Sequence, residues 1–382
     1  FNNLYWNEVG SLMISADIDD ISNNSSNQYL DMTIDTGTRE IGRFYPHHLT
    51  IIEDSDTLWD YADEHNDFAY MGQNIGHSFI VQAESSQDDS DGNTLITTNY
   101  GLFSDNNIVT VTYKATANIP NDNGSDNWEN IEPTRILPID LKWAPSSWGD
   151  NTGQIEVGIS DFNVVKNGST LDGPFTSGNA YFGLVSDQVD SVNFETLDFD
   201  AYITGALSGK RFSEQPDVRY GRMVLSDVGG NQGTTISIPL KVEYWDGDQF
   251  VTNSDDNGSV LNSDEYCSLA IWSEIGSNNN VSLGLNTTPS TNEGAVSEGQ
   301  YAKLIAKQGT SRREQFKIWL RQGSKKTSDS DASCSSNYVD QPWLQYYWNG
   351  SDEEDPSAII TFGIYRGNDR VIFRGENRFT GQ

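Results

Sequence analysis

Apolar and polar side chains alternate with a period of two along most of the chain, and apolar stripes with helical spacing are nearly absent. Such alternation is typical of β-strands that turn one face to a core. Clear examples are 9–18, 78–84, 108–117 and 235–245, separated by polar turns rich in Asn and Gly. Many short strands joined by turns predict an all-β protein of two or three stacked β-sandwich, Ig-like domains.

The best candidate for a domain boundary is the Gly- and Ser-containing stretch 204–216. It divides the chain into an N-terminal β-sandwich region, 1–207, and a C-terminal β-sandwich, 208–382. Residues 1–43 belong either to the first region or to a separate β unit. The chain begins at Phe1 with no signal peptide in view, so we expect a mature product or a piece of a longer protein.

The stretch 342–375 organises the C-terminal region in this interpretation. Residues 342–348 and 358–367 are rich in aromatic and β-branched side chains and flank an acidic Asn-Gly turn. Asn-Gly between apolar runs predicts a β-hairpin. Residues 370–374 follow a second turn and are predicted to add a third strand, so that the three strands close the last sheet.

The charge of the chain is strongly acidic, with 56 Asp and Glu against 23 Lys and Arg and a net charge of -33. This field repels nucleic acid and anionic membranes, so we expect neither as a partner. It suits divalent cations, a salty environment or simple solubility, and a solvated acidic surface is the plainest interpretation. No run of 18 apolar residues occurs, so we expect no membrane insertion.

The two cysteines are Cys267 and Cys334. In an acidic, Asn-, Ser- and Gly-rich β chain, such a pair predicts one disulfide and an oxidising compartment. The alternative is two unrelated buried thiols. A bridge would close a loop of 67 positions, which in the chain-entropy model stabilises a fold by roughly 4 kcal/mol.

The best match to a calcium-binding loop begins at Asn253. Oxygen-bearing side chains occupy its positions 1, 3 and 5 (Asn253, Asp255 and Asn257), Gly258 follows at position 6, and Asp264 falls at position 12. This spacing can wrap oxygens around one Ca²⁺ ion. Because no helices flank it and position 12 is Asp rather than Glu, a plain Asn/Asp turn is the competing interpretation. No other cofactor is predicted.

Sequence motifs for catalysis are missing: there is no G-x-S-x-G, no H-E-x-x-H and no C-x-x-C. We therefore predict no catalytic residues and no enzyme. A glycoside hydrolase with paired carboxylates stays a minor alternative. Sugar binding is the better hypothesis, since exposed aromatic rings stack on sugars. Trp148, Trp245 and Trp348 are the candidate rings, although most tryptophans of this kind are core or strand residues.

Short motifs carry a family resemblance through their collinear order. They are Asn7–Gly10, Ile41–Pro46, Phe68–Gln73, Asn99-Tyr100, Tyr220–Arg222, Glu243–Gly247, Phe250–Asn253, Pro342–Leu344 and Asp355–Gly367. The order resembles the large C-terminal region of MshQ-like MSHA (mannose-sensitive haemagglutinin) pilus biogenesis proteins. That region is a domain of unknown function in bacterial surface proteins. The likeness spans nearly the whole chain.

The resemblance implies an exported bacterial protein encoded with type IV pilus components, often carrying a lectin-like domain upstream. The chain departs from its relatives in the position of Cys267 and in the turn Asn349–Asp352, where they tend to have an Asp-Gly-Asp-Gly-like sequence. We expect an extracellular, pilus-associated adhesin or assembly module that binds pilus subunits, a surface glycan or another protein ligand. A calcium-dependent carbohydrate-binding module is the second hypothesis.

Overall fold

A computed structural model describes residues 6–17, 28–29, 32–63, 65, 67–119, 125–274 and 281–363. Within these residues the chain forms thirty β-strands, one α-helix of a single turn and six 3-10 turns. The prediction of an all-β sandwich protein is confirmed. No helix in the described part of the chain is long and apolar enough to cross a membrane.

The strands are short, as the turn-rich sequence predicts. In the N-terminal half they are β1 (Gly10–Ala16), β2 (Gln28–Tyr29), β3 (Met32–Thr33), β4 (Gly37–Phe44), β5 (His48–Ile52), β6 (Ala69–Tyr70), β7 (Ile75–Asp88), β8 (Thr94–Ile96), β9 (Val111–Asn118), β10 (Trp128–Asn130), β11 (Ile136–Leu137), β12 (Lys142–Trp143), β13 (Gln154–Val164), β14 (Ala180–Ser186) and β15 (Lys210–Arg211). The helix α1 (Ser55–Leu58) lies between β5 and β6.

The strands of the C-terminal half follow the same pattern of short segments. They are β16 (Val218–Arg219), β17 (Gly221–Leu225), β18 (Val228–Gly230), β19 (Ile236–Ser237), β20 (Leu240–Trp245), β21 (Phe250–Thr252), β22 (Val260–Asn262), β23 (Tyr266–Ser273), β24 (Val281–Leu285), β25 (Glu293–Ala295), β26 (Gln300–Tyr301), β27 (Leu304–Gln308), β28 (Glu314–Leu320), β29 (Ser333–Cys334) and β30 (Ser357–Phe362). The 3-10 turns are Tyr100–Leu102, Asp105–Asn107, Pro133–Arg135, Pro145–Ser147, Val189–Ser191 and Pro342–Leu344.

Two five-stranded sheets enclose the first core. One has the order β11-β13-β7-β5 with β8 beside β7, and the other has the order β10-β9-β14-β15 with β12 beside β9. Alternate residues are buried along β7 and β9, among them Phe79, Val81, Val111 and Tyr113, and they join one hydrophobic cluster. This alternation is the period of two read from the sequence, with one face of each sheet turned to the core.

Three sheets surround the second core: β17-β20-β21 with β26 beside β20, β18-β30-β28-β23-β29, and β19-β27-β24. Met223, Val242, Leu304 and Ile318 are fully buried in this core. The predicted disulfide is confirmed, since Cys267 of β23 is bonded to Cys334 of β29. The bridge fastens the short edge strand β29 to the sheet.

Each core includes residues from the other side of the predicted boundary at 207/208. Phe68 and Tyr70, from the N-terminal half, pack in the second core, whereas Phe212 and Tyr220 pack in the first. Strand β6 pairs in parallel with β16, so backbone hydrogen bonds accompany this exchange. The exact boundary stays a prediction, and so does the status of 1–43, where β1 and β4 pair as a two-stranded ribbon.

The closing segment differs from the predicted hairpin. Pro342 begins a 3-10 turn rather than a strand, and Tyr346 meets Glu354 only in an isolated bridge. Proline has no N–H to donate to a ladder, which favours the turn. Strand β30 is present and lies between β28 and β18. The predicted third strand, 370–374, lies outside the described residues.

His77 lies deep in the first core. Its ring is stacked on Trp59 with centroids 3.9 Å apart, its Nδ1–H donates to the Leu58 carbonyl at 2.6 Å, and its Nε2 has no partner among the described residues. Burial lowers the pKa of His77 from 6.5 to about 4. The folded protein therefore holds this ring neutral where the unfolded chain already binds a proton.

We predict that this difference makes stability fall as the pH falls from 6.5 to about 4, because the unfolded state binds more protons there. The contribution of His77 is on the order of 3 kcal/mol over this range. His77→Phe keeps a ring in place and removes the titration. The free energy of unfolding is measured by urea titration at several pH values. As the pH falls from 6.5 to about 4, the free energy of unfolding of the wild type should fall more than that of the variant. If the two free energies fall by the same amount, His77 is not the group responsible.

Candidate functional site

One cluster of aromatic rings around an arginine reaches the surface, and we call it the aromatic–arginine surface. Its members are Arg222 on β17, Trp245 at the end of β20, Phe250 at the start of β21, and Tyr346 and Trp348 after the last 3-10 turn. Strands β17, β20 and β21 are neighbours in one sheet, which brings the first three residues together.

A tight turn sets the positions of Trp245 and Phe250, which face each other across the β20–β21 hairpin. The Asp246 carboxylate accepts hydrogen bonds from the backbone N–H groups of Asp248 and Gln249, at 2.9 and 2.8 Å. These bonds, led by the one from Gln249, lower the pKa of Asp246. Gly247 has a φ of 107°, a conformation that disfavours other residues. The two rings meet edge to face at 5.5 Å.

The Arg222 guanidinium lies at the centre of the cluster. It is 3.5 Å from the centroid of the Phe250 ring, 5.1 Å from Tyr346 and 5.3 Å from Trp348. Its Nε and Nη2 donate to Glu243 Oε2 at 3.1 and 2.8 Å. Glu243 lies directly opposite Arg222 on the neighbouring strand β20. Cation–π attraction and the ion pair together hold the rings in a fixed arrangement.

Trp348 is the solvent-exposed residue of this cluster. Its ring packs edge to face on Tyr346 at 4.9 Å, and the residue is 39% exposed. Trp245 is half-buried beside Phe250. The structure thus brings two of the three predicted sugar-stacking residues into one cluster. A partly exposed indole beside a guanidinium and a carboxylate offers both a ring for stacking and hydrogen-bonding groups.

Trp148 is not part of this surface. It is 3% exposed, packs edge to face on Tyr100 and donates from Nε1 to the Val109 carbonyl at 3.1 Å. A ring enclosed in this way cannot stack on a ligand, so its selection as a ligand-binding residue is corrected to a core role. By contrast, Trp272 on β23 is 52% exposed.

Sequence reasoning did not select Arg222, Phe250 or Tyr346 as site residues. A signal for the first two existed, since both lie within motifs that carry the family resemblance (Tyr220–Arg222 and Phe250–Asn253). Arg222 and Phe250 come together because β17 and β21 both pair with β20. Tyr346 comes from a segment nearly one hundred positions further along the chain, and local patterns do not encode a contact at that separation.

The predicted calcium-binding loop binds a cation of the protein itself. Arg219 Nη1 donates to Asn253 Oδ1 at 2.6 Å and to Asp255 Oδ2 at 2.7 Å. Asn257 Oδ1 instead accepts the backbone N–H of Glu298, and Asp264 Oδ2 accepts from Asn292. Asn253 and Asp255 therefore share one partner, Arg219, whereas Asn257 and Asp264 each bond to a different residue.

The loop is closed from inside by Asp256, which is fully buried. Its carboxylate accepts from the Tyr70 hydroxyl at 2.7 Å, from Ser259 Oγ at 2.6 Å and from two backbone N–H groups, and His65 Nε2 lies 3.5 Å away. Burial, followed by the charge of Asp256, raises the pKa of Tyr70, which keeps its hydroxyl proton. Among the described residues, no group of three or more His, Cys, Asp or Glu is arranged to hold a metal ion.

Comparison with known families matches the chain in two consecutive parts. Residues 8–213 match the third domain of DUF6701, and residues 219–377 match its fourth domain. The chain belongs to the DUF6701 family. DUF6701 is a domain of unknown function, and a search of curated proteins gives no match. All members of the aromatic–arginine surface lie in the fourth-domain match of this DUF6701 chain.

We predict that calcium leaves the thermal stability of this DUF6701 chain unchanged, because Arg219 already satisfies the oxygens of Asn253 and Asp255. A ligand that binds only the folded state raises the melting temperature. Melts in millimolar calcium and in EDTA should therefore coincide. A rise of several degrees with calcium, lost in Asp255→Asn, would contradict this prediction and restore the calcium site.

Proposed function

We propose that this chain is a binding module of an exported bacterial surface protein, associated with pili, that acts in adhesion or pilus assembly without catalysis. Its ligand at the aromatic–arginine surface is a surface glycan. The observation that carries this proposal is the exposed indole of Trp348, which packs edge to face on Tyr346 and lies against the guanidinium of the Arg222–Glu243 pair.

The chemistry of this surface suits a neutral sugar ring. Apolar C–H faces of sugars stack on aromatic rings, while their hydroxyl groups bond to charged side chains. Because Glu243 is bound to Arg222, it serves as a hydrogen-bond acceptor held in place. Rings that are already fixed lose little conformational entropy when a ligand binds.

Two further facts support the exported, pilus-associated part of the proposal. The Cys267–Cys334 disulfide is typical of proteins from oxidising compartments. The collinear motifs resemble MshQ-like pilus biogenesis proteins, whose C-terminal region is likewise a domain of unknown function. The net charge of -33 disfavours nucleic acid and anionic membranes as ligands.

We predict that Trp348→Ala weakens glycan binding by at least about tenfold, which corresponds to roughly 1.4 kcal/mol. The measurement is a glycan array with the wild-type chain, followed by titration of each glycan that binds. Trp272→Ala is the matched control, because Trp272 is also an exposed tryptophan, 52% against 39%, and lies on β23. The control should bind as the wild type does.

Three outcomes would count against the proposal. The wild-type chain would bind no glycan, or Trp348→Ala would bind as tightly as the wild type, or Trp272→Ala would lose the same affinity. Glycan binding that disappears in EDTA would instead favour a calcium-dependent carbohydrate-binding module. Both variants should keep the wild-type melting temperature, since each removes a partly exposed ring.

A further inference from the structure

Two adjacent histidines at the edge of the first core form a cluster that the proposed function does not use. His48 begins β5, and His47 precedes it. His47 Nδ1 and His48 Nδ1 face each other at 2.9 Å, with the two ring planes 83° apart. Successive side chains of a regular strand point to opposite faces, but His47 lies just outside β5, and its ring turns toward that of His48.

One ring of this pair is open to solvent and the other is enclosed. His47 is exposed, whereas His48 is 9% exposed. A small solute can therefore reach the facing nitrogens from the side of His47, while the fold holds His48 in place.

A carboxylate fixes the tautomer of His48. His48 Nε2 lies 3.0 Å from Oε2 of Glu84, the residue opposite it on β7. The same carboxylate accepts hydrogen bonds from Thr50 Oγ1 at 2.9 Å and from Gln82 Nε2 at 2.7 Å. Because a carboxylate among such donors only accepts, Nε2 of His48 carries a proton, and its Nδ1 is the nitrogen that faces His47.

The two facing nitrogens share one proton. Two imidazole nitrogens at 2.9 Å are joined by a hydrogen bond, so one of them donates and the other accepts through its lone pair. A metal ion binds imidazole through that same lone pair, and its binding displaces the proton from the ligand. The pair thus offers two nitrogen ligands to an ion that takes the place of the shared proton.

The surroundings of His48 match those of metal-binding histidines. Such histidines almost always donate their other ring N–H to a carboxylate, a carbonyl or water, which orients the ring and makes the ligating nitrogen more basic. His48 has this arrangement with Glu84. Gln82 in turn accepts a hydrogen bond from Gln154 Nε2 at 2.7 Å, so the support extends across β5, β7 and β13. The ring of His48 is therefore oriented before any ion binds.

The separation of the two nitrogens indicates the coordination geometry. Metal–imidazole bonds of about 2.0 Å place two nitrogens about 2.8 Å apart at a right angle and about 3.3 Å apart at the tetrahedral angle. The 2.9 Å between the two Nδ1 atoms fits the right angle of a square-planar or tetragonal site. Copper(II) prefers this geometry, and it binds nitrogen ligands more tightly than the other first-row divalent ions.

We propose that His47 and His48 bind one copper(II) ion through their Nδ1 atoms, with Glu84 as the positioning residue behind His48. The ion displaces the shared proton, which goes to solvent. No group of three or more His, Cys, Asp or Glu surrounds the pair in the part of the chain that the structure describes, so the other positions on the ion are left to water. The site lies in the third-domain match and does not depend on the proposed glycan surface.

The test is a titration of the whole chain with Cu²⁺ in excess Mg²⁺. Carboxylates suit Mg²⁺ and imidazoles suit copper, so Mg²⁺ occupies the acidic surface. Electron paramagnetic resonance at one equivalent of copper then detects the imidazole nitrogens bonded to the ion. His65 and His77 are buried in the cores, so these signals report on His47 and His48.

His47→Ala removes the exposed ligand and should keep the melting temperature of the metal-free wild type. Tyr45→Ala is the matched control, since Tyr45 is also exposed and lies two positions before His47. Glu84→Gln keeps an acceptor for the His48 N–H but removes the charge. It should retain both imidazole signals and weaken copper binding by about tenfold or more; unchanged affinity would remove the positioning role of Glu84.

We expect the wild type and Tyr45→Ala to bind one copper ion with two imidazole nitrogens. His47→Ala should bind copper at least tenfold more weakly and lose the two-imidazole signal. The proposal fails if copper on the wild-type chain shows no imidazole nitrogen, which would mean adventitious binding to carboxylates only. It also fails if His47→Ala keeps the wild-type affinity and spectrum, or if Zn²⁺ binds the wild type more tightly than Cu²⁺.

Discussion

The placement of Arg219 is the constraint on which the arrangement of the two cores depends. Its guanidinium lies between the rings of Phe68 and Tyr244, at 4.5 and 4.8 Å, and bonds to Asp217, Asn253 and Asp255. Burial acts to lower the pKa of Arg219, but its bonds to Asp217 and Asp255 outweigh burial and raise it. A permanent charge enclosed in this way needs all of its partners, because a buried charge without partners costs several kcal/mol.

Those partners come from four separate stretches of the chain, around residues 68, 217, 244 and 253–255, and this explains why the two cores meet where they do. Arg219 belongs to β16, which pairs with β6, and the oxygen-rich loop after β21 closes over both. Tyr70 and Asn253 bond to each other through the Tyr70 hydroxyl at 2.7 Å. Hydrogen bonds inside a low-dielectric site are strong when complete and costly when broken, so this junction favours one arrangement.

The same junction shows how far the sequence could be interpreted. The spacing of Asn253, Asp255 and Asn257 indicated a cation site, and a cation does lie against the first two side chains; it is a guanidinium supplied by residue 219. Local spacing predicts which side-chain oxygens are grouped together, but long-range strand pairing decides which cation lies against them. The Tyr70–Asp256 hydrogen bond spans 186 positions, a separation that no local pattern encodes.

Tryptophan exposure shows the same division between local and long-range information. Trp148 and Trp348 each occur shortly before a glycine in a polar segment, yet one is 3% and the other 39% exposed. Strands with clear alternation, such as β7 and β9, and the Cys267–Cys334 bridge were predictable, because period-two alternation and a single pair of cysteines are local or compositional signals. Exposure depends on which segments cover a ring, and that is fixed only by the fold.

The small number of basic residues affects both the interior of the protein and the charge of its surface. With 23 Lys and Arg against 56 Asp and Glu, cations are scarce, and several are committed to internal pairs, such as Arg135 with Asp172 at 2.6 Å and Arg222 with Glu243 at 2.8 Å. The surface is consequently left with an excess of carboxylates. Screening limits this field to about 8 Å at physiological salt, so its effect is strongest on groups in contact. The neutral sugar that we propose as the ligand of Trp348 is hardly affected by this field, so binding there depends on ring stacking and local hydrogen bonds rather than on the net charge of the chain.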